Sequence, residues 1–284
     1  MTRFLSRYRR MSVPDLFATY AHALRVQFGG RDQMRGRGAA QTGLIVSLTT
    51  TPDRVHHIKP TLRSLLDQTR PAEKIILNYP EATRSGKAYP PPETLGLDPE
   101  VTVLRCKDEG PLTKVLPTLR SHPEAAIVVV DDDVIYPSDF LETLGSAWND
   151  NPKCVHAYRG VRLEPDVPFS EQFHQLSTGI KDASPVDIVF GTWGYVLSAE
   201  LLPPAIFDAS DVPEEMKWVD DIVISGLLAR AGVPRQVIPA KRFPVEALVP
   251  RKLALNQTHN RDGRNERMAI NWFQNDWGTE NGSS

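Results

Sequence analysis

Cysteine is nearly absent from this 284-residue chain: Cys106 and Cys154 stand in unrelated contexts and form no CxxC. That argues against a disulfide framework or a thiolate zinc site and fits a reducing compartment. Long hydrophobic runs are missing as well. No stretch approaches the roughly 18 apolar residues that cross a bilayer. The N-terminus has positive charge but neither the apolar core nor the small-residue cleavage site of a secretory leader. The expectation is a cytoplasmic chain. Net charge is small, −2 with 24% charged residues, so nothing in the balance argues for nucleic-acid binding, which calls for a strongly basic face. What the chain does have is 40% hydrophobic residues and no internal repeat, enough for one substantial core.

The first forty residues differ from the rest. Arg3, Arg7, Arg9, Arg10, Arg25, Arg31, Arg35 and Arg37 face only Asp15 and Asp32. Between Pro14 and Phe28, the residues Leu16, Phe17, Tyr20, Leu24 and Val26 recur at nearly helical spacing. Such a basic amphipathic helix either covers a sheet edge or lies on an anionic membrane or a partner. Residues 29–38 read as a linker. Residues 1–40 therefore form a basic N-terminal segment with peripheral membrane contact as one expectation, and 41–284 form a single domain.

From Gly43 onward strand and helix signals alternate. Strands are expected at 44–48, 74–78, 101–106 and 126–130, with helices over 55–68 and 112–119, although Pro117 weakens the second. Further strands are expected at 155–158, 186–190 and 236–239, and a helix at 219–231. The Pro90-Pro91-Pro92 stretch reads as an exposed loop, and the segment from Lys241 as polar and irregular. Short apolar runs separated by helices indicate an α/β fold with a mostly parallel sheet covered on both faces. Ligands of such sheets bind beyond the carboxyl ends of the strands.

There the chemistry concentrates. The run Ala126-Ile127-Val128-Val129-Val130 is followed directly by Asp131, Asp132 and Asp133. Three adjacent acids at a sheet edge repel one another unless a cation neutralises them. Oxygen-only ligands suit Mg2+ or Mn2+, which also hold phosphate. In extended backbone Asp131 and Asp133 point one way and Asp132 another. An acidic turn capping a helix at Ser138 or Asp139 is the bland alternative. Asp220 and Asp221 open the expected 219–231 helix, where acids serve stability through the dipole or serve as a general base. Gly110-Pro111-Leu112-Thr113-Lys114 offers backbone donors, a hydroxyl and a cation for phosphate, without P-loop spacing. Gly191-Thr192-Trp193-Gly194-Tyr195 lets backbone approach a ligand, with Trp193 and Tyr195 either stacking on a sugar or, for Trp193, packing in the core.

In this order, the segment Ser47-Leu48-Thr49-Thr50-Thr51-Pro52-Asp53-Arg54, the Gly110–Lys114 segment, the aspartate triplet and the Asp220–Asp221 pair resemble the motifs of GT-A glycosyltransferases. The chain is similar to the large family 2 group of inverting enzymes, in a bacterial and viral subset. The resemblance spans roughly residues 43–237. It implies a GT-A (Rossmann-like) sheet flanked by helices, with a small irregular acceptor-side and C-terminal region. It implies a nucleotide-sugar donor, UDP-sugar favoured, a glycan or glycolipid acceptor, and Mn2+ or Mg2+.

Residue by residue, the resemblance puts Thr49, Thr50 and Arg54 at the nucleobase and ribose, Asp131 on ribose or sugar, and Asp133 on the metal. Asp132 joins them without an assigned contact. Asp221 is the expected base with Asp220 in reserve, Gly191, Trp193 and Gly194 approach the donor sugar, and Lys114 contacts phosphate or sugar. The family's acidic pair after the second strand is replaced by Leu77-Asn78-Tyr79-Pro80, so base recognition passes to Asp108 or to backbone. His259 is the candidate third metal ligand, with Arg251 and Lys252 closing over the diphosphate. The competing readings are a haloacid-dehalogenase-type phosphotransferase, since Asp131-Asp132-Asp133-Val134 nearly fits its motif, a sugar-nucleotide pyrophosphorylase, disfavoured by the missing glycine-rich loop, and a non-catalytic nucleotide-sugar-binding protein.

Overall fold

Four strands set the frame: β1 (Ile45–Thr49), β2 (Lys74–Pro80), β3 (Val101–Cys106) and β4 (Ala126–Val129). The computed structural model describes residues 8, 10–29, 42–207, 212–248 and 263–278. Later strands are β5 (Val134–Ile135), β6 (Val155–Ala157), β7 (Arg159–Val161), β8 (His174–Leu176), β9 (Ser184–Pro185), β10 (Ile188–Val189), β11 (Tyr195–Ser198), β12 (Arg235–Val237) and β13 (Val245–Glu246). The α-helices are α1 (Val13–Phe28), α2 (Lys59–Leu66), α3 (Leu116–Ser121), α4 (Phe140–Asp150), α5 (Asp220–Arg230) and α6 (Arg264–Trp272).

An eight-stranded mixed sheet runs β3-β2-β1-β4-β11-β6-β12-β9. The pairs β1–β2, β2–β3, β1–β4 and β6–β12 are parallel, whereas β11 is antiparallel to both neighbours and β9 to β12. The fold is therefore α/β and mostly parallel, as expected. The antiparallel β11 at its centre was not expected. Tyr195–Ser198 follows so closely on a glycine-containing turn that the sequence reads as loop.

Alternation along the strands builds two cores. In β4 and the residue after it, Ile127 and Val129 face one side, Val128 and Val130 the other. The same holds in β11, where Tyr195 and Leu197 oppose Val196. The first core is closed by α3, α5 and α6 through residues such as Leu116, Ile224 and Ala269, with Phe273 just past the end of α6. The second is closed by α2 and α4 through Leu62, Leu65, Phe140 and Leu144. Burial of one such side chain stabilises by roughly 1.5–3 kcal/mol.

Several boundaries differ from expectation, each for a local reason. The 55–68 helix begins as a 3-10 turn, Val55–His57, before α2. The 112–119 helix is a 3-10 turn, Gly110–Lys114, followed by α3; Pro117 stands in the first turn of α3, where its missing N–H costs nothing. The 186–190 strand shrinks to β10 and joins β7 and β8 in a separate three-stranded sheet. Helix α4 follows the triplet, but Asp139 makes no side-chain cap. The polar C-terminal segment contains β13 and α6.

Candidate functional site

Both acidic motifs converge on one lysine. Lys114 Nζ lies 2.9 Å from Asp131 Oδ1, 2.8 Å from Asp220 Oδ2 and 3.5 Å from Asp221 Oδ1. Residues 114, 131 and 220–221 come from three separate elements: the 3-10 turn before α3, the loop after β4, and the first turn of α5. A buried polar cluster anchors the lysine's backbone to the sheet. Asn78 Nδ2 donates to Ser47 Oγ (3.0 Å), Ser47 Oγ donates to the Lys114 carbonyl (2.6 Å), and Thr118 Oγ1 donates to Asn78 Oδ1 (3.0 Å). All three anchoring side chains are fully buried. Asn78, expected to mark only a departure in base recognition, is thus a support for Lys114.

Arg54 is the second cation. It pairs through Nη2 with Asp132 Oδ1 and, at 2.8 Å, with Asp133 Oδ2. Thr50 Oγ1 donates to Asp132 Oδ2 at 2.5 Å, and Thr61 Oγ1 to the Asp132 carbonyl at 2.8 Å. Asp132 and Asp133 lie in a turn, so strand alternation stops at Asp131. The expected grouping is corrected accordingly: Asp131 faces Lys114, while Asp132 and Asp133 share Arg54. Buried Thr50 and Arg54 hold the triplet itself, and Thr49 Oγ1 donates to the Asn78 carbonyl at 2.9 Å. These contacts are with protein groups. Lys114, expected on phosphate, is likewise engaged by carboxylates.

Tyr136 joins the triplet to the glycine turn. Its hydroxyl accepts from the Asp131 N–H at 3.0 Å and stands 3.3 Å from the Thr192 carbonyl. The turn closes by Gly194 N–H donating to the Gly191 carbonyl (2.9 Å). A Cβ at Gly191 would stand 2.7 Å from Lys114 Nζ, and one at Gly194, whose φ is +83°, would stand 2.5 Å from the Phe140 ring. Gly191 and Gly194 therefore admit Lys114 and Phe140. Gly191 N–H does donate to Asp221 Oδ1 at 3.1 Å. Trp193 is only 7% exposed and stacks on Phe243, with centroids 6.0 Å apart, so it is a core residue and not a sugar platform. Tyr195 is also fully buried, and its hydroxyl has no hydrogen-bond partner among the described residues. Burial raises its pKa, and Asp221 raises it further.

Asp108 lies on a loop beside the site. Its Oδ2 accepts from Arg84 N–H (2.9 Å) and its Oδ1 from Gly110 N–H (2.8 Å), which fixes the turn that carries Lys114. His259, Arg251 and Lys252 lie outside the described residues.

Five carboxylates thus meet two cations. Burial, opposed by Arg54 and reinforced by Asp133, pushes the Asp132 carboxyl up to about 6. Burial likewise pushes Asp221 up to about 7, opposed by Lys114 and reinforced by Asp220 and Asp131. Asp133 is raised by burial and by Asp131. Asp131 is lowered: burial disfavours its charge, but Lys114 outweighs it. Lys114 is held well above its ordinary value, because the three carboxylates overcome its burial. Uncompensated negative charge with hard oxygen donors is the environment a divalent cation fits. Asp133, whose side chain is 39% exposed, is the most open of the triplet. Among the described residues no group of three His, Cys, Asp or Glu is arranged to hold a metal.

No family model matches the chain, and no curated protein matches it.

Proposed function

We propose that the chain is a GT-A glycosyltransferase that moves a sugar from a nucleotide-sugar donor, UDP-sugar favoured, to a hydroxyl of a glycan acceptor with inversion. The observation that carries the reading is the meeting of Asp131 and the Asp220–Asp221 pair on Lys114 at the carboxyl end of β4, where α/β sheets bind ligands.

In this reading Asp221 accepts the acceptor hydroxyl's proton. An acid held near pH 7 is suited to that task, being partly ionised at working pH and basic enough to take a proton. The acceptor oxygen forms its bond to the anomeric carbon as the bond from that carbon to the diphosphate oxygen breaks. The electron pair leaves with the nucleoside diphosphate. Lys114 holds Asp221 and Asp131 in register, and Gly191 N–H orients the base. Asp133, with Asp131 near it, would hold Mn2+ or Mg2+, which supplies charge stabilisation to the departing diphosphate.

Thermal-shift screening of nucleotide sugars with and without manganese is the first test, and a metal-dependent shift with a UDP-sugar is expected. Asp133→Ala should abolish transfer with the fold retained. Asp221→Asn should bind donor normally and turn over at least about a hundredfold more slowly, as loss of a general base predicts. Loss of donor binding in Asp221→Asn would make the residue structural. Hydrolysis of a simple phosphomonoester with phosphate captured on Asp131 would establish the phosphotransferase reading instead. Donor binding without any turnover would leave a binding protein.

A further inference from the structure

Helix α1 is fastened along one side and apolar along the other. Ser12 caps it, its side chain accepting from Asp15 N–H. Its inner face buries Thr19, Ala23 and Val26, the last two packed with Ile135 of β5 and beside Val245 and Ala247. His22 Nε2 lies 3.0 Å from the Tyr136 carbonyl oxygen, and Arg25 pairs with buried Asp67 at the end of α2. These contacts fix the rotation of the helix about its axis.

That rotation sends the larger apolar residues outward. Val13 is 81% exposed, Phe17 76%, Leu24 60% and Phe28 71%. At 100° per residue these four fall within about 60° of one another on the helix. Leu248, 69% exposed, adjoins the same end, its N–H donating to Gln27 Oε1 at 3.1 Å. A helix that served only to cover β5 and β13 would carry polar residues on its free side. Here five of the eight large hydrophobics exposed among the described residues form this one surface, and such a patch marks an interaction site.

Charge identifies the occupant. Residues 1–41 hold eight arginines and two aspartates, net +6, in a chain whose total is −2, so the remainder carries −8. A stretch of sequence with that basic excess, carrying an apolar helix face within it, is complementary to an anionic lipid surface. A second copy would bring two +6 segments face to face. We propose that the outer face of α1, with Leu248, docks on anionic lipid bilayers, laying the helix in the interface plane. No helix among the described residues is long and apolar enough to cross a membrane, so the contact is peripheral. The proposal is independent of the catalytic reading.

The test is co-sedimentation of the full chain with vesicles of phosphatidylcholine alone and of phosphatidylcholine with phosphatidylglycerol. The intact chain should pellet with the anionic vesicles and stay in solution with the neutral ones. Phe17→Glu with Leu24→Glu should lower the bound fraction at least about tenfold at unchanged thermal stability. The pair Phe17→Ser and Leu24→Ser, which adds no charge, should show the same direction and guards against misfolding of the first. Binding that persists in both variants, or no binding of the intact chain to anionic vesicles at low salt, overturns the proposal. So does light scattering that shows a dimer without vesicles which these substitutions convert to monomer, since the face would then be a self-association surface.

Discussion

Lys114 joins three carboxylates within 3.5 Å while only 9% of its side chain is exposed. Removing one partner of a buried ion cluster leaves the others uncompensated, at a cost of about 3–5 kcal/mol. Lys114→Met should therefore lose about that much in urea unfolding; a loss under about 1 kcal/mol would mean the carboxylates do not depend on it. Nothing local in Gly110–Lys114 announces this role. The three acids lie 17, 106 and 107 residues further along the chain, and proximity of that kind arises only from topology. The aspartates themselves were legible, because acids directly after a buried strand are unusual for stability alone. Trp193 was ambiguous for the opposite reason: an indole near a glycine turn looks the same in sequence whether its face meets a sugar or Phe243.

Among the elements, the parallel strands β1 to β4 were readable because burial on both faces produces unbroken apolar runs. Helix α6 was not, since only Ala269 within it is buried and most of its residues are polar. It is held by Phe273 just beyond its end, which packs against Gly226 in the middle of α5. A Cβ at Gly226 would stand 2.2 Å from the Phe273 ring. Helix propensity alone makes Gly226→Ala favourable by about 1 kcal/mol, but the clash reverses the sign. The expected outcome is a destabilisation of roughly 1–3 kcal/mol, as overpacking gives, with faster amide exchange in 264–272. A gain in stability would show that α6 can move aside at little cost.

At the scale of the whole molecule, the acid cluster sets the pH dependence. Asp132 and Asp221 titrate near 6 and 7 when folded, against 3.8 for an ordinary aspartate. The folded state therefore binds extra protons between about pH 4 and pH 7, and stability falls as pH rises through that window. Asp131, held low by Lys114, acts in the opposite direction and below the window. Thermal melts should show a lower midpoint at pH 8 than at pH 5 without divalent cation, and Asp221→Asn should flatten the difference. Manganese at a hundred times its dissociation constant should restore about 2.7 kcal/mol at pH 8, or roughly 5–10 °C for a chain of this size. Asp133→Ala should abolish that gain.

The antiparallel strand at the centre of the sheet also shapes how the chain is made. Strands β1 to β4 complete the four-stranded half by Val129, yet the partner of β4, Tyr195–Ser198, lies about 70 residues later. At roughly 5–20 residues per second, ribosomal synthesis leaves that edge open for about 3–14 seconds. A β4 formed in that interval would leave the ladder of Ile127, Val128 and Val129 unpaired on that side, the kind of edge that templates pairing with other chains. The order of synthesis thus leaves the central edge of the sheet to be closed by a strand from the second half of the chain.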